Sequence, residues 1–127
     1  MLYAIFCYDD EAVTCAWSKE KDDQVMASLG EVQARLAAEQ RLGPVGRLHP
    51  TKTATTIRKG KTPIVMDGPF AETKEQLLGF YIVDCENKEQ ALEVAGELAR
   101  ASGSAGAFEI RPLMIFKPGA LRSSAAG

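Results

Sequence analysis

Residues 67–76, Asp-Gly-Pro-Phe-Ala-Glu-Thr-Lys-Glu-Gln, hold the densest polar chemistry in the chain. Asp67 directly follows an apolar run, and Glu72, Lys74 and Glu75 come next to it in sequence around the aromatic Phe70. Carboxylates beside a lysine and an aromatic wall, at the end of a strand, can be tuned for proton transfer. The same residues also spell a strand connection, because Asp bonds its own downstream backbone, Gly permits unusual dihedrals and Pro fixes φ. In that reading Asp67 only accepts backbone N–H groups, and Thr73 with Gln76 caps a single helical turn ended by Gly79. A connector needs few of these residues. The excess points to a site with Asp67 as base or orienter, Phe70 as wall, and Glu72, Lys74 and Glu75 as substrate contacts.

Other residues outside the segment bear on the same chemistry. His49, the sole histidine, precedes Pro50 at the end of a short extended run and is the candidate partner of Asp67 in proton transfer; the alternative is an exposed loop histidine. Arg58 lies on the strand leading towards the segment, placed either to hold an anionic substrate group or to pair with Glu72 or Glu75. Tyr3 and Tyr81 read as core or interface aromatics, and Cys7 and Cys85 as buried, inert thiols. Arg47, Lys52, Arg58, Lys59 and Lys61 form a basic cluster without an intervening acid. Such a cluster suits an acidic protein surface, since it lacks both the interleaved aromatics and the groove-reading helix that nucleic acid demands. No phosphate, nucleotide or metal-ligand motif is present, so neither a cofactor nor a metal is expected.

Composition bounds the setting. A chain of 127 residues suffices for one domain with its own core, expected over residues 1–116 with a flexible tail over 117–127. The net charge of −2 predicts neither a general nucleic-acid binder nor an acidic tail. Three cysteines without a CxxC pair suggest no disulfide framework and no zinc knuckle, which fits reduced thiols in a cytoplasmic protein. The apolar start, residues 1–8, has no basic flank and is too short to span a membrane, so it reads as a strand rather than a signal.

The elements that must position the segment follow from patterning. Residues 2–8 are apolar on both faces, which predicts a central strand covered on both sides. Asp22 and Asp23 predict a helix start, Val25, Leu29, Val32 and Leu36 its buried stripe, and Gly43-Pro44 its end. Residues 45–49 form a short extended run. Residues 53–58 and 62–66 are β-branched runs that predict a hairpin, with Gly60 supplying positive φ. Residues 79–85 read as a second apolar strand. Asn87 and Gln90 predict a cap for a helix with a buried stripe of Ala91, Leu92, Ala95 and Leu98, an outer face of Glu89, Glu93 and Glu97, and an end near Gly103. Residues 108–111 form a last strand. This order is the split βαβ plan of a ferredoxin-like α+β domain: an antiparallel sheet with two helices on one face, enlarged by an inserted β-hairpin. Strands apolar on both faces predict a homodimer whose sheets cover one another.

The run from Asp67 to Leu77, then Gly79-Phe80-Tyr81-Ile82, resembles the signature of the YCII-related family in the branch named for its DGPF motif. Leu48, Pro50, Thr55-Thr56-Ile57-Arg58 and Glu109-Ile110-Arg111-Pro112 match that branch in place and order, so the resemblance spans residues 1–116. It implies a dimeric α+β barrel and a cleft with a His-Asp pair, in which Asp67 matches the aspartate. The family's histidine near the start of the first helix has no counterpart, since residues 21–27 contain none. The resemblance implies cofactor-independent proton-transfer or lyase-like chemistry on a small organic molecule. Its alternative is a non-catalytic ligand sensor or adaptor associated with an extracytoplasmic-function sigma factor.

Overall fold

In the computed structural model, which describes residues 1–122, strand β1 (Leu2–Asp9) runs into a one-turn helix α1 (Glu11–Thr14) and then the long helix α2 (Lys19–Ala38). Strand β2 (Leu42–Arg47) leads through a 3₁₀ turn (Thr51–Thr53) to the hairpin β3 (Thr55–Arg58) and β4 (Ile64–Asp67). Strand β5 (Gln76–Asp84), helix α3 (Lys88–Ser102) and strand β6 (Ala107–Pro112) complete the order. The main sheet is antiparallel, ordered β2-β5-β1-β6, with β3 and β4 forming a separate two-stranded sheet. The result is the expected ferredoxin-like α+β arrangement with a hairpin inserted between β2 and β5. Of the tail expected over 117–127, residues 117–122 are exposed and lie outside any helix or strand, while 123–127 lie outside the described residues.

The alternation of β1 and β5 divides the sheet into two faces. Tyr3 and Ile5 of β1 and Tyr81 and Val83 of β5 point towards the helices, where Val25, Leu29 and Leu36 of α2 and Ala91, Val94, Ala95 and Leu98 of α3 meet them in the core. The opposite face bears Ala4, Phe6, Phe80 and Ile82, flanked by Arg111 paired with Ala4 and Glu109 paired with Phe6. Phe6, Phe80 and Ile82 remain half-buried there. The ring of Phe80 lies over Gly46, where a Cβ would come within 2.6 Å of it. A side chain at Gly46 would therefore displace that ring.

Several local expectations change. Helix α2 begins before Asp22, because Ser18 caps it by accepting the Lys21 N–H at 3.0 Å. It ends at Ala38 rather than at Gly43-Pro44, which instead lie in β2. Pro44 fits there because β2 is an edge strand whose pairing with β5 shifts register between Leu42 and Val45. In α3, Asn87 caps as expected by accepting the Gln90 N–H at 2.9 Å, and Gly103 closes the helix at φ 66°. Leu92 is half exposed, and Val94 takes the stripe position expected of it, since positions 91, 94, 95 and 98 share one face of a helix. Glu97 is not free on the outer face but pairs with Arg35 of α2. Gly60 does not have the positive φ expected of it, and the hairpin loop spans residues 59–63.

Candidate functional site

The Asp67 segment is well anchored and open. At the base of the hairpin Asp67 pairs with Thr55, Gly68 donates its N–H to the Ala54 carbonyl at 2.8 Å, and the Thr56 hydroxyl donates to the Gly68 carbonyl at 2.8 Å. Gly68 sits at φ 98°, a conformation that makes glycine the suitable residue at this turn. The helical turn expected at Thr73 is absent, because Gln76 opens β5 opposite Asp9 and Gly79 lies inside that strand. Gln76 instead ties the segment to α1 by accepting the Glu11 N–H at 2.9 Å.

The candidate side chains separate into two groups. Asp67, Glu72, Lys74 and Glu75 are exposed. Among the described residues the Asp67 carboxylate makes no hydrogen bond or ion pair, so it does not saturate backbone N–H groups as a turn-capping role requires. Arg58 and Phe70 do come together, the guanidinium carbon lying 5.5 Å from the ring centroid. Arg58 forms no ion pair with Glu72 or Glu75 among the described residues. None of these six residues lines either of the two cavities described next.

His49 does line a cavity, an open hollow of about 330 Å³ that it shares with Glu11, Thr14, Cys15, Arg47 and Leu78. Its position is fixed from both sides along the chain. Before it, the Leu48 N–H donates to the Leu78 carbonyl at 2.8 Å, continuing the β2 ladder beyond Arg47. After it, the Thr51 N–H and hydroxyl donate to the two Glu11 carboxylate oxygens at 2.8 and 2.7 Å. Arg47 forks onto the Asp22 carboxylate of α2 at 2.9 and 3.5 Å. Glu11 is thus engaged and Arg47 partly so, while His49 makes no hydrogen bond among the described residues. His49 and Asp67 are not hydrogen-bonded to each other.

A second cavity of about 160 Å³ lies between α2 and the sheet, lined by Trp17, Met26, Leu29, Tyr81 and Phe108 among others. Thr14, Arg47 and Leu78 line both hollows. Burial pushes the Cys7 thiol up to about 12 in this region, keeping it protonated and unreactive at neutral pH. Asp9, buried at 8% exposure, spends its carboxylate on the Asp10 N–H at 2.7 Å and the Ser104 hydroxyl at 2.5 Å. Among the described residues no cluster of three or more His, Cys, Asp or Glu suited to a metal ion is formed.

Glu11, Cys15, Arg47 and Leu78 are among the cavity residues that sequence reasoning did not assign to a site. They come from three distant stretches with no shared motif, and the local signal for the first of these is Asp10, which caps α1 by accepting the Ala12 N–H at 2.9 Å.

Sheet order, helix placement and inserted hairpin define a ferredoxin-like α+β protein. A family model of the YCII-related domain matches residues 1–117, and the chain belongs to that family. It is 56% identical over 125 residues to an uncharacterised protein of Rhizobium meliloti (strain 1021), an alignment covering 97% of this chain and all of that relative.

Proposed function

We propose that this protein, a member of the DGPF-motif branch of its family, is a cytoplasmic enzyme that catalyses cofactor-independent proton transfer on a small organic molecule bound in the His49 cavity. The observation that carries this reading is the unengaged imidazole of His49, held at the edge of a 330 Å³ hollow by the Leu48 and Thr51 bonds on either side. An imidazole exchanges protons near neutrality. In the proposed step a ring nitrogen of His49 takes a proton from a carbon next to a substrate carbonyl, and the electron pair moves onto the carbonyl oxygen as an enolate. Arg47 steadies that oxygen with N–H donors not given to Asp22. Returning the proton to the same or a neighbouring carbon completes exchange or isomerisation.

The active unit in this reading is a homodimer. Phe6, Phe80 and Ile82 on the open sheet face would be covered by a second copy. Proton abstraction is tested by following deuterium uptake from D₂O into a panel of small ketones and keto acids by NMR. Wild type incorporates deuterium into at least one of them and His49→Gln does not. Uptake that persists in His49→Gln would sink the assignment.

A second reading is favoured by the hairpin surface. Ile57, Ile64, Val65 and Phe70 are all more than half exposed there, which suits a protein contact. On this reading the chain is a non-catalytic sensor or adaptor that couples a small-molecule ligand to an extracytoplasmic-function sigma factor. It predicts ligand-dependent binding to such a factor and no deuterium uptake in any compound.

A further inference from the structure

We infer that the molecule bound here has two unlike ends: a one-ring apolar body that occupies the inner cavity and a polar head that stays at the His49 mouth. The inference rests on the proposed use of the His49 cavity and names the class of molecule it takes. Its basis is that the two hollows abut, with Thr14, Arg47 and Leu78 lining both. A ligand seated at His49 therefore lies next to the inner space, with only the Thr14, Arg47 and Leu78 side chains between the two.

The inner space selects by chemistry and size. Trp17, Met26, Leu29, Tyr81 and Phe108 give it an apolar, largely aromatic lining. Two of the polar groups around it are already engaged: the Asp9 carboxylate by the Ser104 hydroxyl and the Asp10 N–H, and the Ser102 hydroxyl by the Ala99 carbonyl. An apolar ring placed there would exchange water contacts for side-chain contacts, whereas a charged group would gain little from that apolar lining. The volume of about 160 Å³ is close to that of apolar cavities known to hold one benzene-sized ring, about 150 Å³. The mouth has the opposite character, with His49 unengaged and Arg47 retaining donors.

Calorimetric or NMR titration of the full chain with phenylacetate and with acetate tests this. Acetate probes the mouth alone, and phenylacetate adds one ring. Phenylacetate is expected to bind at least tenfold more tightly than acetate. Met26→Trp and Val45→Phe fill the inner space from half-exposed positions, 36% and 43% accessible, where a larger side chain is compatible with folding. Each is expected to bring phenylacetate down to the affinity of acetate, and His49→Gln is expected to weaken both acids. Equal binding of the two acids by wild type, with acetate binding still dependent on His49, overturns the two-ended ligand and leaves the His49 reading intact. Undiminished phenylacetate binding by both filled variants also overturns it. Failure of both acids to bind wild type removes the two readings together.

Discussion

The Asp67 segment and the His49 cavity are opposites in how they are built. The segment gathers its chemistry within ten consecutive residues and leaves it open to solvent, with Asp67, Glu72, Lys74 and Glu75 all exposed. The cavity draws Glu11, Cys15, Arg47, His49 and Leu78 from distant parts of the chain and gives them one hollow. Solvent weakens every electrostatic interaction it reaches. Convergence of donors and acceptors on one hollow, and not the density of polar residues along the chain, therefore decides where a weakly populated charge can be stabilised. The difference makes the segment better suited to contacts between surfaces and the cavity better suited to chemistry.

The largest effect that could break this contrast is on activity. His49→Gln is expected to lower deuterium uptake by about a hundredfold or more, the usual contribution of a positioned general base, with its melting temperature unchanged because the imidazole is exposed. Asp67→Asn is expected to keep most of the uptake. The reverse ranking, measured by NMR with both proteins folded by circular dichroism, would return the chemistry to the segment.

Glu11 offers the next largest change. Its carboxylate receives two donors from Thr51 and so holds the chain just beyond His49. Glu11→Ala is expected to cost about 2 kcal/mol in denaturant unfolding, as loss of a partly buried charge-assisted pair does. It acts on His49 by position: kcat should fall while the pH profile of the rate keeps its shape. Glu11→Gln keeps one acceptor and should recover part of the loss. A shifted profile instead would make Glu11 a proton carrier.

These contrasts also explain which features were legible in the sequence. The periodic stripe of α2 and the Asn87 cap of α3 were readable because each is local: period 3.6 and a three-residue spacing encode them. The ends of α2 were not, since Gly43-Pro44 ordinarily stops a helix and only pairing with β5 makes it an edge strand. The helical turn at Thr73 was misread for a similar reason. Local capping chemistry favoured a turn, and tertiary pairing of Gln76 with Asp9 overrode it. His49 could be singled out as the lone histidine, but its cavity could not, because Glu11, Cys15 and Leu78 meet it only through sheet order.

Thiol reactivity sharpens the distinction within the cavity region. Cys15 is exposed at the mouth, whereas burial holds Cys7 protonated up to about 12. Iodoacetamide at pH 8 is therefore expected to label Cys15 in the native protein and spare Cys7, as read by peptide mass spectrometry. The sign of the coupled pH effect follows. Below the unfolded thiol value of 9.0, Cys7 is protonated in both states; between 9.0 and about 12 the unfolded chain loses that proton first. Stability should then fall as pH rises through that window, and Cys7→Ala should flatten the fall. Equal labelling of Cys7 and Cys15 would mean that the inner space opens freely.

The smallest expected effect on the fold itself falls on the segment. Phe70 is 73% exposed and touches the Arg58 guanidinium at a distance that contributes little in water. Phe70→Ser should therefore shift unfolding stability by no more than about 0.5 kcal/mol, the usual range for surface positions. Its consequence belongs to the proposed homodimer instead. If the hairpin and its neighbouring Phe70 meet a second copy, losing that aromatic contact weakens the dimer in sedimentation without altering the monomer's circular dichroism. If the dimer forms only through the open sheet face, Phe6→Ser weakens it and Phe70→Ser does not. Since Phe6 and Phe80 are paired on that face, the two substitutions assign the interface to the sheet or to the hairpin, and with it decide whether the Asp67 segment has any role beyond the surface.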